Sequence, residues 1–168
     1  APLRAIPNAE ADRPSIWTLL VSAAPLPLDR RFREAAAGES VPVNVRLYYS
    51  LHLMKTGRVS DAIHQADLGL REDPLNMLLR INRATYLAGA GRDDDAVQAY
   101  REVLDLNPSM VLAQFNLAGW HASIGEWDVA RRLCEAAYTV APLPRVTGLL
   151  AGLLHRGGET SRAAELLL

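Results

Sequence analysis

Residues 77–110 read MLLRINRATYLAGAGRDDDAVQAYREVLDLNPSM, two apolar-periodic stretches on either side of a glycine. Leu78, Ile81, Leu87 and Ala88 recur at helical spacing before Gly91. After it, Ala96, Val97, Tyr100, Val103, Leu104 and Leu106 form a second stripe. Gly91 suits a tight turn that needs positive φ. Asp93, Asp94 and Asp95 place negative charge at the start of the second helix, where the backbone dipole favours it. Pro108 marks that helix's end, because proline cannot extend the hydrogen-bond ladder. The stretch is a helix–turn–helix hairpin.

Working outward, the same marks recur. Glycines stand at Gly57, Gly91 and Gly125, prolines at Pro74, Pro108 and Pro142, and alanines at Ala62, Ala96 and Ala130, each series stepping by the length of the quoted stretch. A weaker fourth copy carries Gly158 and Ala163, both one residue early. Small residues at Ser50, Ala84 and Ala118 face those alanines and would let the paired helices approach closely. Hairpins repeated at this period bury their apolar faces by stacking, which makes the chain an all-α repeat array.

This pattern resembles the tetratricopeptide repeat family. The resemblance spans roughly three-quarters of the chain, as repeats at 43–76, 77–110 and 111–144 and a partial fourth at 145–168. It implies a right-handed superhelical solenoid of antiparallel helix pairs. The family's first-helix small position matches Ser50, Ala84, Ala118 and Gly152. Its core aromatic matches only Tyr100, with Ala66 and Cys134 in the other copies, and its later small position matches Gly69 and Ala137 but not Val103. Arg83 is the oddest departure, standing where Leu117 keeps the family's leucine; its stem is expected along the core and its head in solvent.

The ends are less regular. Residues 1–42 hold six of the ten prolines. Residues 1–14 read as a loose tail and 15–42 as a degenerate N-terminal repeat, with a short helix at Ser15–Ser22 and another at Asp29–Gly38 presenting Phe32 and Ala35. The last unit stops at Leu166-Leu167-Leu168, before its second helix is complete. Solenoid ends need a polar cap, so a longer native polypeptide is expected, with a homodimer through the exposed C-terminal repeat as the fallback.

Composition narrows the function classes. With 18 Lys+Arg against 19 Asp+Glu in 168 residues, the formal net charge is −1. That balance argues against nucleic-acid binding, which needs a cationic surplus. No apolar run approaches the ~20 residues of a membrane span, and the first residues lack the pattern of a signal peptide. A single cysteine, Cys134, excludes an intrachain disulfide and fits a reducing, cytoplasmic setting.

No catalytic motif emerges. Gly89-Ala90-Gly91 lacks the third glycine and the strand of a dinucleotide fingerprint. Cys134 paired with His121 as a nucleophile competes with a buried apolar Cys134, and the buried reading is preferred. His121 and His155 are 34 residues apart, which suggests equivalent positions in neighbouring repeats. A two-histidine metal site competes there with plain core packing; no acidic or thiol ligand recurs beside them, so packing is preferred. The Asp93–Asp95 run lacks the spaced oxygen ligands of a calcium loop. No cofactor, metal or catalytic residue is implied.

The resemblance implies that the first helices line a concave groove for an extended peptide or a partner helix. Its positions are Leu47, Tyr48 and Leu51 in the first unit, Leu78, Ile81, Asn82 and Thr85 in the second, Leu112, Phe115 and Asn116 in the third, and Leu149 and Leu153 in the fourth. Asn82 and Asn116 recur at one position and could clamp a peptide backbone through their amides, or bond within the protein. Family members that grip a C-terminal carboxylate use Lys and Asn on the first helix, then Lys and Arg two repeats on. Here those places hold Leu47 and Leu51, then Leu112 and Asn116, with only Asn82 matching, so an apolar peptide or amphipathic helix is expected instead. The expected function is a non-enzymatic protein-interaction scaffold or adaptor. The alternative is a regulatory repeat region of a larger bacterial signalling or transcription-regulator protein, which Asp73-Pro74-Leu75-Asn76 and the alanine-rich repeats resemble.

Overall fold

A computed structural model describes residues 28–38 and 41–168. The described residues form helices and connections, with no strand among them: α1 (Leu28–Ala36), α2 (Val43–Lys55), α3 (Val59–Glu72), α4 (Met77–Gly89), α5 (Asp93–Leu106), α6 (Val111–Ser123), α7 (Trp127–Val140), α8 (Pro144–Arg156) and α9 (Thr160–Glu165). The expected helix at Ser15–Ser22 and the tail before it lie outside the described residues. The helix expected at Asp29–Gly38 runs over Leu28–Ala36.

Four hairpins, α2–α3, α4–α5, α6–α7 and α8–α9, are closed by one repeated turn. Gly57, Gly91, Gly125 and Gly158 have φ of +78°, +71°, +84° and +85°, the left-handed region open to glycine. That geometry lets the next residue's N–H reach back to the helix: Arg58 to the Leu53 carbonyl, Arg92 to Leu87, Glu126 to His121 and Glu159 to Leu154, at 2.9–3.0 Å. The glycine N–H bonds the carbonyl three residues earlier in each case, so every first helix ends in the same Schellman motif.

Each second helix also packs on the next first helix, α3 on α4, α5 on α6 and α7 on α8. Successive first helices touch, α2 with α4 and α4 with α6, while successive second helices meet at most weakly. The array therefore bends with its first helices inside. The buried side chains run from Phe32 to Ala163, and Leu133 packs against both halves of this spine. At the leading edge, α1 lays Phe32 on Tyr49, rings stacked at 5.4 Å, and Asp29 accepts a 2.8 Å hydrogen bond from Arg58.

The fourth unit is out of step with the other three. The connections before α4 and α6 are residues 73–76 and 107–110, but before α8 only 141–143 intervene. Pro144 begins α8 one residue early, its fixed φ suiting the first helical turn. Equivalent positions after it are therefore 33 apart, which corrects three expectations. The small position of α8 is Ala151, 5% exposed, and Gly152 faces outward. The partner of buried His121 is Leu154, with His155 exposed. Leu153 lands at the core position of Tyr86. Arg83 also differs: its head is not simply solvated but pairs with Asp67 of α3.

The turn and the slipped register make opposite expectations for two glycines. Gly91→Ala forces a Cβ into positive φ and should lower stability by about 1–2 kcal/mol. Gly152→Ala adds a Cβ where no atom lies within 4 Å, and should raise stability by about 0.4–1 kcal/mol. Urea denaturation followed by circular dichroism reads both.

Candidate functional site

The inner wall is built from the outward faces of α2, α4, α6 and α8. Leu47, Tyr48 and Leu51 of α2 are half-buried there. On α4, Leu78 is 60% exposed, Thr85 is exposed and Asn82 half-buried. Ile81 shares the position of Leu47 and Phe115 but is only 2% exposed, so it belongs to the floor of the wall. On α6, Leu112, Phe115 and Asn116 are half-buried. On α8, Leu149 is half-buried, but Leu153 is turned into the core. The residues that share the inner positions with Leu112, Phe115 and Gly119 are Arg145, Gly148 and Gly152, one residue ahead of a strict 34-residue count.

Two hydrogen-bonded links tie this wall together. Tyr100 reaches through from the second helix, and its hydroxyl accepts from Asn116 Nδ2 at 2.9 Å and donates to Thr85 Oγ1 at 3.2 Å. Thr85 then donates to the Ile81 carbonyl at 2.9 Å. The chain of donors runs one way, so each bond polarises the next. Burial of Tyr100 pushes its phenol pKa up, with the bonds to Thr85 and Asn116 opposing. In the other link, Ser50 donates to the Leu47 carbonyl at 2.7 Å, which leaves the Tyr86 hydroxyl to donate to Ser50 at 3.2 Å.

These bonds separate the two asparagines. Asn116 spends its donor inside the protein. Asn82 has no side-chain partner among the described residues, so its amide keeps both donor and acceptor for another molecule. Tyr100's hydroxyl was not legible as a wall component; the alternation of Tyr100 with Ala66 and Cys134 marked only a core position. Charge collects at the far end of the wall, where the Arg145 guanidinium lies 6.0 Å from the Phe115 ring centroid.

The side chains with reactive potential are otherwise engaged. Cys134 is fully buried, and its thiol lies 3.5 Å from the Val146 carbonyl. Desolvation, then the nearby Glu135 charge, pushes the thiol pKa up to about 11. His121 is buried with Nδ1 2.6 Å from Glu126, and its ring meets Trp120 edge-on. Among the described residues, no group of three or more His, Cys, Asp or Glu could hold a metal ion. No helix among them is long and apolar enough to cross a membrane.

Comparison with known proteins agrees with this geometry. A family model described as tetratricopeptide repeat matches residues 50–111 and 81–142. The chain is 31% identical over 91 residues to the tetratricopeptide repeat and J domain-containing co-chaperone DNJ1 of Fusarium oxysporum f. sp. lycopersici, covering 54% of this chain and 18% of that protein. It is 34% identical over 83 residues to the TPR repeat-containing thioredoxin TTL4 of Arabidopsis thaliana, covering 49% of this chain and 12% of that one. The chain thus spans less than a fifth of either relative. Among solved structures, MamA superposes with a TM-score of 0.69 at 18% identity, covering 83% of this chain and 82% of that one. A MamA fragment from Desulfovibrio magneticus RS-1 gives 0.68 at 16% identity, over 83% and 80%.

The buried thiol makes a signed expectation. Folding holds Cys134 protonated, so its contribution is complete below the unfolded pKa near 9 and is lost as pH rises towards about 11. Stability measured by urea titration should fall across that window in the wild type and fall less in Cys134→Ala. Iodoacetamide at pH 8 should leave the folded thiol unmodified and alkylate it in denaturant.

Proposed function

The chain belongs to the tetratricopeptide repeat family, and on that footing we propose that it is a protein-interaction scaffold whose inner wall receives an apolar peptide or amphipathic helix of a partner. The observation that carries this reading is the run of half-exposed apolar side chains from Leu47 to Leu149 across four successive first helices. An apolar wall of this kind gains by burying a partner's apolar surface, roughly 25 cal/mol per Å² removed from water. Asn82 supplies a free amide beside it for a peptide bond or side chain. Leu47, Leu51 and Leu112 leave the apolar stretch of the wall without cationic partners for a terminal carboxylate, Arg145 standing only at its far end, so that stretch selects internal apolar segments.

A second reading draws on the Asp73-Pro74-Leu75-Asn76 run and the alanine-rich repeats, which resemble the regulatory repeat regions of bacterial regulators. In it, these repeats regulate a larger signalling or transcription-regulator polypeptide, and the inner wall holds another segment of that same polypeptide.

The test is affinity capture with the wild type and with the pair Leu47→Glu and Phe115→Glu, each first checked for native helicity. The wild type should enrich a defined partner, and the double variant should lose it by at least about tenfold, as expected when two apolar contacts become buried unpaired charges. Equal capture by both forms rules out the inner wall.

A further inference from the structure

The outer face carries a feature that the groove reading does not use. Between successive second helices lies a cleft floored by the intervening first helix, and the same cleft recurs along the array. Between α3 and α5, Arg83 rises from the floor and pairs with Asp67 on the rim, while Gln98 donates to Glu102 at 3.2 Å. Beyond α7, at the equivalent place, Glu135 pairs with Arg162 of α9 at 3.2 Å. In both outer clefts the protein's own opposite charges pair, and the first keeps only a smaller space of about 230 Å³ beside Asp67, Arg83 and Glu102.

The middle cleft, between α5 and α7, is different at each of these positions. Leu117 replaces Arg83 on the floor, Arg101 replaces Asp67, Arg132 replaces Gln98 and Ala136 replaces Glu102. The result is an open cleft of about 420 Å³, walled by Leu104, Val129 and Leu133 over Leu117 and the buried His121. Arg101 and Arg132 stand exposed on its rim, and neither has an ion-pair partner among the described residues. Asp105 is the acidic group of the rim, standing where the first cleft has Arg71, so the rim's charge order is reversed.

We propose that this middle cleft is a second docking site, on the outer face, for a partner peptide that presents apolar side chains followed by a side-chain carboxylate. The apolar walls take the hydrocarbon, and the two guanidiniums take the carboxylate in the fork geometry arginine favours. Asp105, one helical turn beyond Arg101 on α5, disfavours the carboxylate on that side of the rim and so biases the peptide's direction. Volume and lining fit one or two large side chains. In the neighbouring clefts the position of Arg101 carries an acid, Asp67 or Glu135, paired with an arginine of the same chain; in the middle cleft Arg101 stands there with no such partner among the described residues.

The probe is a fluorescein-labelled, end-blocked peptide carrying Leu-Leu-Asp-Phe between Gly-Ser flanks, titrated against the full chain by anisotropy. Saturable binding is expected that weakens with added salt and drops by about tenfold or more when the peptide's Asp is changed to Asn or its leucines to Ser. Arg101→Glu and Arg132→Glu, both surface changes, should each weaken it similarly. The double variant Leu117→Arg with Arg101→Asp rebuilds the first cleft's pair and should fold and lose binding. Methyl shifts should appear at Val129, Leu104 and Leu133. The proposal is overturned by an absence of saturable binding, by unchanged affinity in these variants, or by shifts confined to Leu47, Leu51 and Leu149. It is equally overturned if the peptide-free protein shows contacts from these methyls to any of residues 1–27, or concentration-dependent self-association through them, since the cleft then already has an occupant.

Discussion

Everything in this fold depends on how closely two helices of one hairpin can approach. Ser50, Ala84, Ala118 and Ala151 on the first helices and Ala62, Ala96, Ala130 and Ala163 on the second are all buried, none more than 6% exposed. A larger side chain at these points would push the helix axes apart, and close-packed interiors absorb such changes poorly. Close pairing sets the hairpin's width, and a constant width lets one hairpin dock on the next. The positive-φ glycine is the counterpart at the turn, returning the chain tightly enough for that approach.

Stacking then creates two unlike faces from one repeat. First helices touch along the inside and join their side chains into a continuous wall, stitched by Tyr100 between α4 and α6 and by Tyr86 between α2 and α4. Second helices diverge on the outside and leave clefts between them. How much space a cleft keeps depends on two or three side chains, about 230 Å³ beside Arg83 against about 420 Å³ over Leu117, because the backbone frame is the same each time. Arg83, an oddity as a core residue, makes sense as the filler of the first cleft.

The fold was legible because its constraints are local and repeated. A turn glycine, a small residue and a helix-ending proline must recur in register, and they do. The slip before Pro144 was half legible: Gly158 and Ala163 announced it by coming one residue early, yet a strict period placed Gly152, Leu153 and His155 wrongly. The site was harder to read. Burial distinguishes Ile81 from Leu47 and Phe115 at one repeat position, and no periodicity carries that information, since it depends on the neighbours each unit meets. The Tyr100 hydroxyl bonding to Asn116, and the Asp67 partner of Arg83, join residues 16 apart in sequence, on different helices whose relative placement only the packed structure supplies.

The close-approach constraint is tested most directly by enlarging one of its residues. Ala118→Leu, compared by urea unfolding with Ala88→Leu at an exposed position of the preceding hairpin, separates packing from composition. The expected result is a loss of about 1–3 kcal/mol or more for Ala118→Leu and a change within about 0.5 kcal/mol for Ala88→Leu. Equal stability of the two variants would contradict the account, since helices that tolerate a leucine at Ala118 are not held by close approach there.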